Sequence, residues 1–231
     1  MAAMALIDSS FRSLPEPMQQ AVSLAFQAAD HGSLAIAATV ARNGHVIATG
    51  RNRLFEDDSG EDHIAGTSLA HAEINALAKL RYRAHESDEL ELYTTLQPCL
   101  QCLGAIRLAP ISRVIVLAPD PLWAGLATIR DVTPFVAARW PHITTVPASE
   151  WSVLSLLSPT RHALAHPRLT EIWRHALPAT SELARRVDPA DLEGDSPPAR
   201  AAHVWSDLGA CVSEVDELAA GDRQDAVEPR A

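Results

Sequence analysis

Two short motifs carry the side chains best suited to chemistry in this sequence. The first is His71-Ala72-Glu73, and the second is Pro98-Cys99-Leu100-Gln101-Cys102, one β-rich segment further along the chain. Each stands where a helical pattern begins, so the side chains would project from two adjacent helix N-termini. One imidazole and two thiolates suit Zn²⁺, and three protein ligands leave its fourth position open. The motifs therefore predict a zinc site formed by His71, Cys99 and Cys102.

Glu73 is the predicted catalytic residue of this site. It follows His71 by two positions and could approach the open zinc position without binding the metal. Zinc lowers the pKa of a bound water toward ~7, which makes hydroxide available at neutral pH. A carboxylate beside that water could accept its proton and then donate it to a leaving group. A non-catalytic zinc knot or a coincidental match is the alternative interpretation, but two spaced motifs in this order and context seldom coincide. The presence of Glu73 argues against a protein that binds zinc but has lost turnover.

Hydrophobic periodicity predicts the elements that position the two motifs. A helix over 18–30 precedes a hairpin whose strands, 34–41 and 45–49, flank the turn formers Asn43-Gly44. The following pattern predicts a helix over 69–83, a strand over 90–96, a helix over 100–108, a strand over 113–118, a helix over 133–139 and a strand over 143–146. Strands that alternate with helices indicate a three-layer α/β/α sandwich with a mixed sheet of about five strands. The hairpin should be antiparallel and the later strands parallel.

Composition and charge limit the classes of partner. The formal net charge is −10 and the sequence pI is about 5.4, so the chain as a whole repels a phosphate backbone, which disfavours a nucleic acid partner. Three cysteines do not suggest a disulfide framework. No secretory signal or membrane-spanning stretch is evident, so the expected location is cytoplasmic, with no membrane partner.

The two motifs resemble the H-x-E and P-C-x-x-C signature of zinc deaminases, which identifies the cytidine deaminase-like superfamily. The resemblance covers roughly residues 16–125. It extends to Gly50-Arg51-Asn52-Arg53 before the histidine, to Leu92-Tyr93-Thr94-Thr95-Leu96 before Pro98, and to Gly104-Ala105-Ile106 after Cys102. A histidine first ligand and Gly-Ala-Ile are most similar to the branch that holds tRNA adenosine deaminases and guanine deaminases. The run from His71 to Ala76 is also similar to deoxycytidylate deaminases.

The resemblance implies a function and a set of roles. His71, Cys99 and Cys102 would bind zinc, and Glu73 would transfer protons. Asn52 would contact the ring or sugar of the substrate, and the Ala72 backbone would hold the ring edge. The implied reaction is hydrolytic deamination of a small aminated purine or pyrimidine, as free base or nucleoside, by a zinc-bound hydroxide with release of ammonia.

Two alternative functions stay open at this point. One is editing of transfer RNA by a tRNA adenosine deaminase-like enzyme, which would require arginines around the pocket mouth. The other is an interaction protein built on a catalytically inactive deaminase core.

Family members often form dimers whose neighbours complete the pocket, so a homodimer is an expected assembly. The chain departs from the branch at Gln97, where glutamate is usual, and at Ile36-Ala37-Ala38 on the first strand.

Two further segments complete the predicted organisation. Residues 1–150 would form the deaminase domain and residues 151–231 a helical, acidic C-terminal extension, with a linker at 195–198 before a last helix over 201–218. The acidic loop over 53–68 is long enough to be a lid, a binding loop or a tolerated insertion. His63 in this loop, and Trp123 and Phe135 after the core, could line the pocket, but surface or core roles are commoner for such residues.

Overall fold

The computed structural model describes residues 2–57, 64–81 and 89–224. Its helices are α1 Ala2–Ser13, α2 Glu16–Asp30, α3 Ala72–Leu77, α4 Leu100–Leu108, α5 Pro134–Ala137, α6 Glu150–Leu164, α7 Pro167–Ala176, α8 Pro178–Arg186, α9 Pro197–Ala201, α10 Trp205–Gly209 and α11 Val212–Gln224. Its strands are β1 Ala37–Arg42, β2 His45–Arg51, β3 Leu90–Leu96, β4 Ile111–Ala118 and β5 His142–Thr145. Three short 3₁₀ turns, Pro121–Trp123, Leu126–Asp131 and Pro189–Asp191, lie between them.

The five strands form one mixed sheet in the order β2-β1-β3-β4-β5. Strand β1 pairs antiparallel with β2 and with β3, whereas β3 with β4 and β4 with β5 are parallel pairs. The hairpin turns at Asn43 and Gly44, both with positive φ (53° and 79°), which is the backbone that a two-residue turn needs to match strand twist. The predicted mixed sheet is confirmed.

Helices pack against both faces of the sheet, and alternating strand side chains contact them. On one face Val40, Leu92 and Val114 pack in a cluster that includes Ala72 of α3 and Ile106 of α4. On the other face, strand residues pack against α1, α2 and the C-terminal helices, in a cluster that includes Ala41, Ile115, Leu117, Met18, Phe26 and Leu157. Because strand side chains point alternately to opposite faces, this pattern buries the sheet on both sides and gives the expected three layers.

Several element bounds differ from the sequence prediction. Helix α1 was not predicted, although Ile7 is buried and Phe11, one turn later, packs partly against the same cluster. Helix α3 ends at Leu77 and so is shorter than the predicted 69–83, of which residues 82 and 83 lie outside the described residues. Strand β3 and helix α4 have the predicted bounds.

The C-terminal helices pack directly against the sheet-bearing part of the chain. Trp151 and Leu157 of α6 belong to the same core cluster as Ile7 of α1. The predicted linker at 195–198 is wrong in part, because Pro197 begins α9 and Pro198 is buried. In place of one helix over 201–218, the described residues form the end of α9, then α10, and then α11 from Val212. Within the described part of the chain, no helix combines the length and apolarity needed to cross a membrane.

Candidate metal centre and active-site cavity

His71 and Glu73 lie at the start of α3, directly above the end of β2. His71 is the N-cap residue, with an extended backbone (φ −77°, ψ 153°), and Glu73 lies in the first turn. The helix approaches the strand closely at Gly50, where an added Cβ would lie only 2.1 Å from the Ala72 carbonyl oxygen. A side chain at position 50 would therefore displace the helix that carries the motif.

The two cysteines occupy the equivalent place on the neighbouring helix. Cys99 is the N-cap residue of α4, and Cys102 lies in its first helical turn. The preceding strand, β3, runs parallel to β4, and the Gln97 N–H donates to the Ala118 carbonyl oxygen where both strands end (2.8 Å). Ligands from α3 and α4 thus meet beside the carboxyl end of β3, the edge where open α/β sheets bind ligands.

The ligand atoms of His71, Cys99 and Cys102 fit one tetrahedral zinc ion. Nδ1 of His71 lies 3.5 Å from each Sγ, and the two Sγ atoms lie 3.6 Å apart. Ordinary zinc–sulfur and zinc–nitrogen bond lengths in a tetrahedron would place the sulfurs about 3.8 Å apart and sulfur and nitrogen about 3.6 Å apart. All three atoms lie within 4.8 Å of one another, and Glu73 is not part of this group. The donor set is thus that of a three-ligand zinc site.

Hydrogen bonds among the three ligands shift their pKa values. The contact with Cys102, supported by His71, lowers the pKa of Cys99 to about 4. The same contact with Cys99, followed by burial, raises the pKa of Cys102. The Cys99 contact also raises the pKa of His71. Metal ligands must be deprotonated, so a divalent cation would replace the protons that these groups now share.

Glu73 is a buried carboxylate beside the metal group, which is the set of ligand side chains of His71, Cys99 and Cys102. Its side chain is 3% exposed, with Oε1 3.2 Å from Thr94 Oγ1 and Oε2 3.3 Å from Cys102 Sγ. Burial is the main cause that raises the pKa of Glu73. A carboxyl group beside a bound water can accept a proton as a general base and later donate it as a general acid.

A cavity of about 220 Å³ opens beside these side chains. The two motifs contribute His71, Ala72, Glu73 and Cys99 to its wall. Asn52, which directly follows β2, also lines the cavity. The remaining described lining residues are Leu34, Ile36, Leu54, Leu96, Gln97, Asp120, Leu122, Trp123, Pro159, His162, Ala163, Leu169 and Trp173. The cavity thus joins the metal group to a mostly apolar chamber with a few polar side chains, which is the usual composition of a small-molecule site.

Backbone contacts hold Asn52 and Ala72 in place at this cavity. Asn52 is 2% exposed, its N–H donates to the Ile36 carbonyl oxygen (2.8 Å), and its Oδ1 accepts from the Leu54 N–H (3.1 Å). Its Nδ2 donates to no acceptor among the described residues. Ala72 is the first residue of α3, where a backbone N–H has no partner within the helix. Both residues therefore offer a hydrogen-bond donor at the cavity.

The described ends of the acidic loop are held to the protein by side chains. Glu56 binds both Arg51 and Arg53, and although burial opposes the charge, these hydrogen bonds lower the pKa of Glu56. Asn75 pairs with both backbone groups of Ile64 (2.8 and 3.0 Å). Residues 58–63, including His63, lie outside the described residues. The rest of the loop contributes Leu54 to the cavity wall.

Sequence reasoning missed part of this wall. Trp123, for which core packing was the commoner expectation, lines the cavity, whereas Phe135 is 67% exposed and stacks on Arg107 instead. The larger omission is α6 and α7, which contribute His162 and Trp173. No local signal predicts this contribution, because it results from the docking of distant helices.

Fold and site together define an α/β/α protein with a three-ligand zinc site at a cavity. Residues 13–118 match the family model "Cytidine and deoxycytidylate deaminase zinc-binding region". The matched region contains His71, Cys99 and Cys102, so both the family's zinc-binding region and the donor set indicate zinc as the cofactor.

Several known proteins are similar to about half of the chain. A tRNA-specific adenosine deaminase of Streptococcus pyogenes serotype M1 is 27% identical over 119 residues, which span 50% of this chain and 64% of the relative. The tRNA-specific adenosine deaminase 2 of Danio rerio is 27% identical over 124 residues, spanning 50% and 54%. A solved guanine deaminase structure from Nitrosomonas europaea aligns with a TM-score of 0.42 and 22% identity, over 56% of this chain and 74% of that one. The chain thus covers less than two thirds of each of these two curated relatives.

Proposed function

We propose that this protein is a zinc-dependent deaminase of a small aminated purine or pyrimidine, as the free base or the nucleoside. One observation carries the proposal: a buried carboxylate, Glu73, lies beside a three-ligand metal group at the wall of a cavity large enough for a small ring. In this reaction water adds to the ring C=N bond at the carbon that carries the amino group. The exocyclic C–N bond then breaks, which releases ammonia and leaves a carbonyl. Zinc supplies an activated water by lowering its pKa toward ~7.

The residues of the chain would divide the remaining work. Glu73 accepts a proton from the water at its carboxylate, passes it to a ring nitrogen, and later protonates the departing amine. The Asn52 amide holds the ring or sugar, and the Ala72 backbone N–H holds a ring edge. Thr94 orients the Glu73 carboxylate through its 3.2 Å contact. Residues 1–150 form the catalytic unit in this proposal, and α6 and α7 of the 151–231 extension complete one wall of the cavity.

The cavity supports a small substrate over a nucleic acid. Among the described lining residues none is lysine or arginine, and the formal net charge is −10, so a phosphate backbone would find little attraction there. The cavity volume of about 220 Å³ is below the usual ~300–1,000 Å³ of drug-sized sites, which suits a base or a nucleoside.

The second candidate is a tRNA adenosine deaminase. It is favoured by the similarity of the chain to the two tRNA-specific adenosine deaminases of Streptococcus pyogenes and Danio rerio. A homodimer also remains a prediction that the resemblance supports.

Ammonia release from a substrate panel separates the two candidates. The panel consists of adenine, guanine and cytosine, their nucleosides and 5′-monophosphates, and a transfer RNA anticodon stem-loop, each incubated with the zinc-loaded protein. The proposal expects release from at least one base or nucleoside. Release from the stem-loop alone would support the second candidate, and zinc-loaded protein that releases no ammonia from any panel member would contradict both.

A further inference from the structure

One wall of the cavity is built by helices that lie outside the 13–118 family region. Helix α6 contributes Pro159, His162 and Ala163, and helix α7 contributes Leu169 and Trp173. Trp173 is 1% exposed, and its indole Nε1 is fully buried, so it serves as packing at the back of the wall. The imidazole of His162, which is half-buried, is the remaining polar side chain among these five residues.

Two ring contacts help hold the imidazole of His162 in place. The ring of Phe55 lies 5.5 Å away at an angle of 39°, and the ring of His166 lies 4.4 Å away at 43°. Nδ1 of His166 is itself bonded to the His162 carbonyl oxygen (2.7 Å), which fixes the second ring to the end of α6. The position of the imidazole is therefore set before a substrate arrives, which reduces the entropy lost on binding.

The two ring nitrogens of His162 have no hydrogen-bond partner within residues 2–57, 64–81 and 89–224. Burial, and secondly the charge of His166, lower the pKa of His162. The neutral imidazole carries one donor and one acceptor nitrogen, and the edge of a purine or pyrimidine presents both kinds of group. An aligned pair of such groups discriminates among ring substrates more strongly than an apolar wall can.

We propose that His162 is a specificity-determining residue, which hydrogen-bonds the substrate ring from the wall that α6 and α7 build. The proposal rests on the proposed deaminase function. It assigns substrate selection partly to the C-terminal helices, whereas the residues that hold zinc and transfer protons all lie between His71 and Cys102.

The test uses a set of substitutions at His162 in the full-length, zinc-loaded protein. His162→Phe keeps a ring that can pack against Phe55 but removes both nitrogens, and His162→Asn and His162→Gln each restore a polar group near one nitrogen position. His175→Phe is the matched control, since His175 is exposed on α7 and does not line the cavity. KM and kcat are measured for every base and nucleoside that the wild-type protein deaminates, together with zinc content and the thermal midpoint.

The expected result is a change in recognition without a loss of the metal site. His162→Phe should raise KM by about tenfold for the preferred substrate and change kcat little, a loss typical of one or two neutral hydrogen bonds. The ranking of substrates should change, His162→Asn or His162→Gln should recover part of the loss, and His175→Phe should match wild type.

Two different failures can be told apart. Unchanged KM and unchanged substrate ranking in His162→Phe, with wild-type turnover intact, would overturn the inference and leave the proposed function standing. A parallel loss of zinc and thermal stability in His162→Phe would assign a structural role and also overturn it. Absence of ammonia release by the wild-type protein would overturn the proposed function and this inference together.

Discussion

Substitution of Gly50 by alanine tests whether the close approach of β2 and α3 positions the metal group. An alanine Cβ would lie 2.1 Å from the Ala72 carbonyl oxygen and 2.4 Å from the Ala76 nitrogen. Real Cβ contacts are essentially never shorter than 3.0 Å, so strand and helix must separate by roughly 1 Å. Because both contacts are backbone atoms, no side-chain rotation can relieve them.

The cost of that separation can be estimated. Overpacking of a buried contact costs typically 1–3 kcal/mol, and the depth of this overlap places Gly50→Ala at about 3 kcal/mol of lost stability. A displacement of about 1 Å at His71 and Glu73 would also lower turnover by roughly 100-fold. Urea denaturation, zinc content and ammonia release would be measured on the same preparation.

Gly104→Ala is the matched control for this experiment. Gly104 lies in α4, two residues after Cys102, and an added Cβ there would meet no atom within 4 Å. Since glycine is a poor helix former, Gly104→Ala should leave the zinc content unchanged and stabilise the protein by up to about 1 kcal/mol. Normal zinc content and normal stability in Gly50→Ala would refute the proposed role of the contact.

Two further predictions concern the metal and the C-terminal helices. Cys99→Ala should lower zinc content and thermal stability together, whereas Cys211→Ala, a buried cysteine outside the site, should keep its zinc; equal zinc content in both variants would contradict the ligand assignment. Arg200→Met removes two hydrogen bonds to Asp30 (2.9 and 2.7 Å) and should lower the free energy of unfolding in urea by about 1–3 kcal/mol. The loss should not be larger, because Asp30 is partly exposed and water can solvate its charge. Arg185→Met, whose ion pair is exposed, should stay within about 0.5 kcal/mol, and an equal loss in both variants would contradict a stabilising role of the Arg200–Asp30 pair, which joins α9 to α2.

The metal group could be predicted from sequence because its geometry is local. Helix starts fix His71 and Glu73 relative to each other, and they fix Cys99 and Cys102 in the same way. The remaining requirement is that the two helix starts lie side by side. The predicted strand between α3 and α4 in the chain places them next to each other on the sheet. The sulfur and nitrogen distances of 3.5–3.6 Å agree with that prediction.

The rest of the cavity could not be predicted because it depends on long-range packing. His162 reaches the cavity only when α6 docks on the sheet, and nothing near position 162 encodes that contact. Helix α1 had a weak local signal, the i, i+4 pair Ile7 and Phe11, which too few apolar neighbours reinforced. Helix α3 is shorter than its apolar periodicity suggested, because a turn follows Leu77.

Zinc content and ammonia release of Glu73→Gln, measured beside wild type, show whether Glu73 transfers the proton without holding the metal. Glutamine preserves the size of the side chain but cannot accept the proton, and position 73 is not a metal ligand. Equal zinc is expected in both proteins, at about one ion per chain, with turnover in the variant lower by about 10²–10⁴-fold. Near-normal turnover in a zinc-replete variant would contradict this role of Glu73.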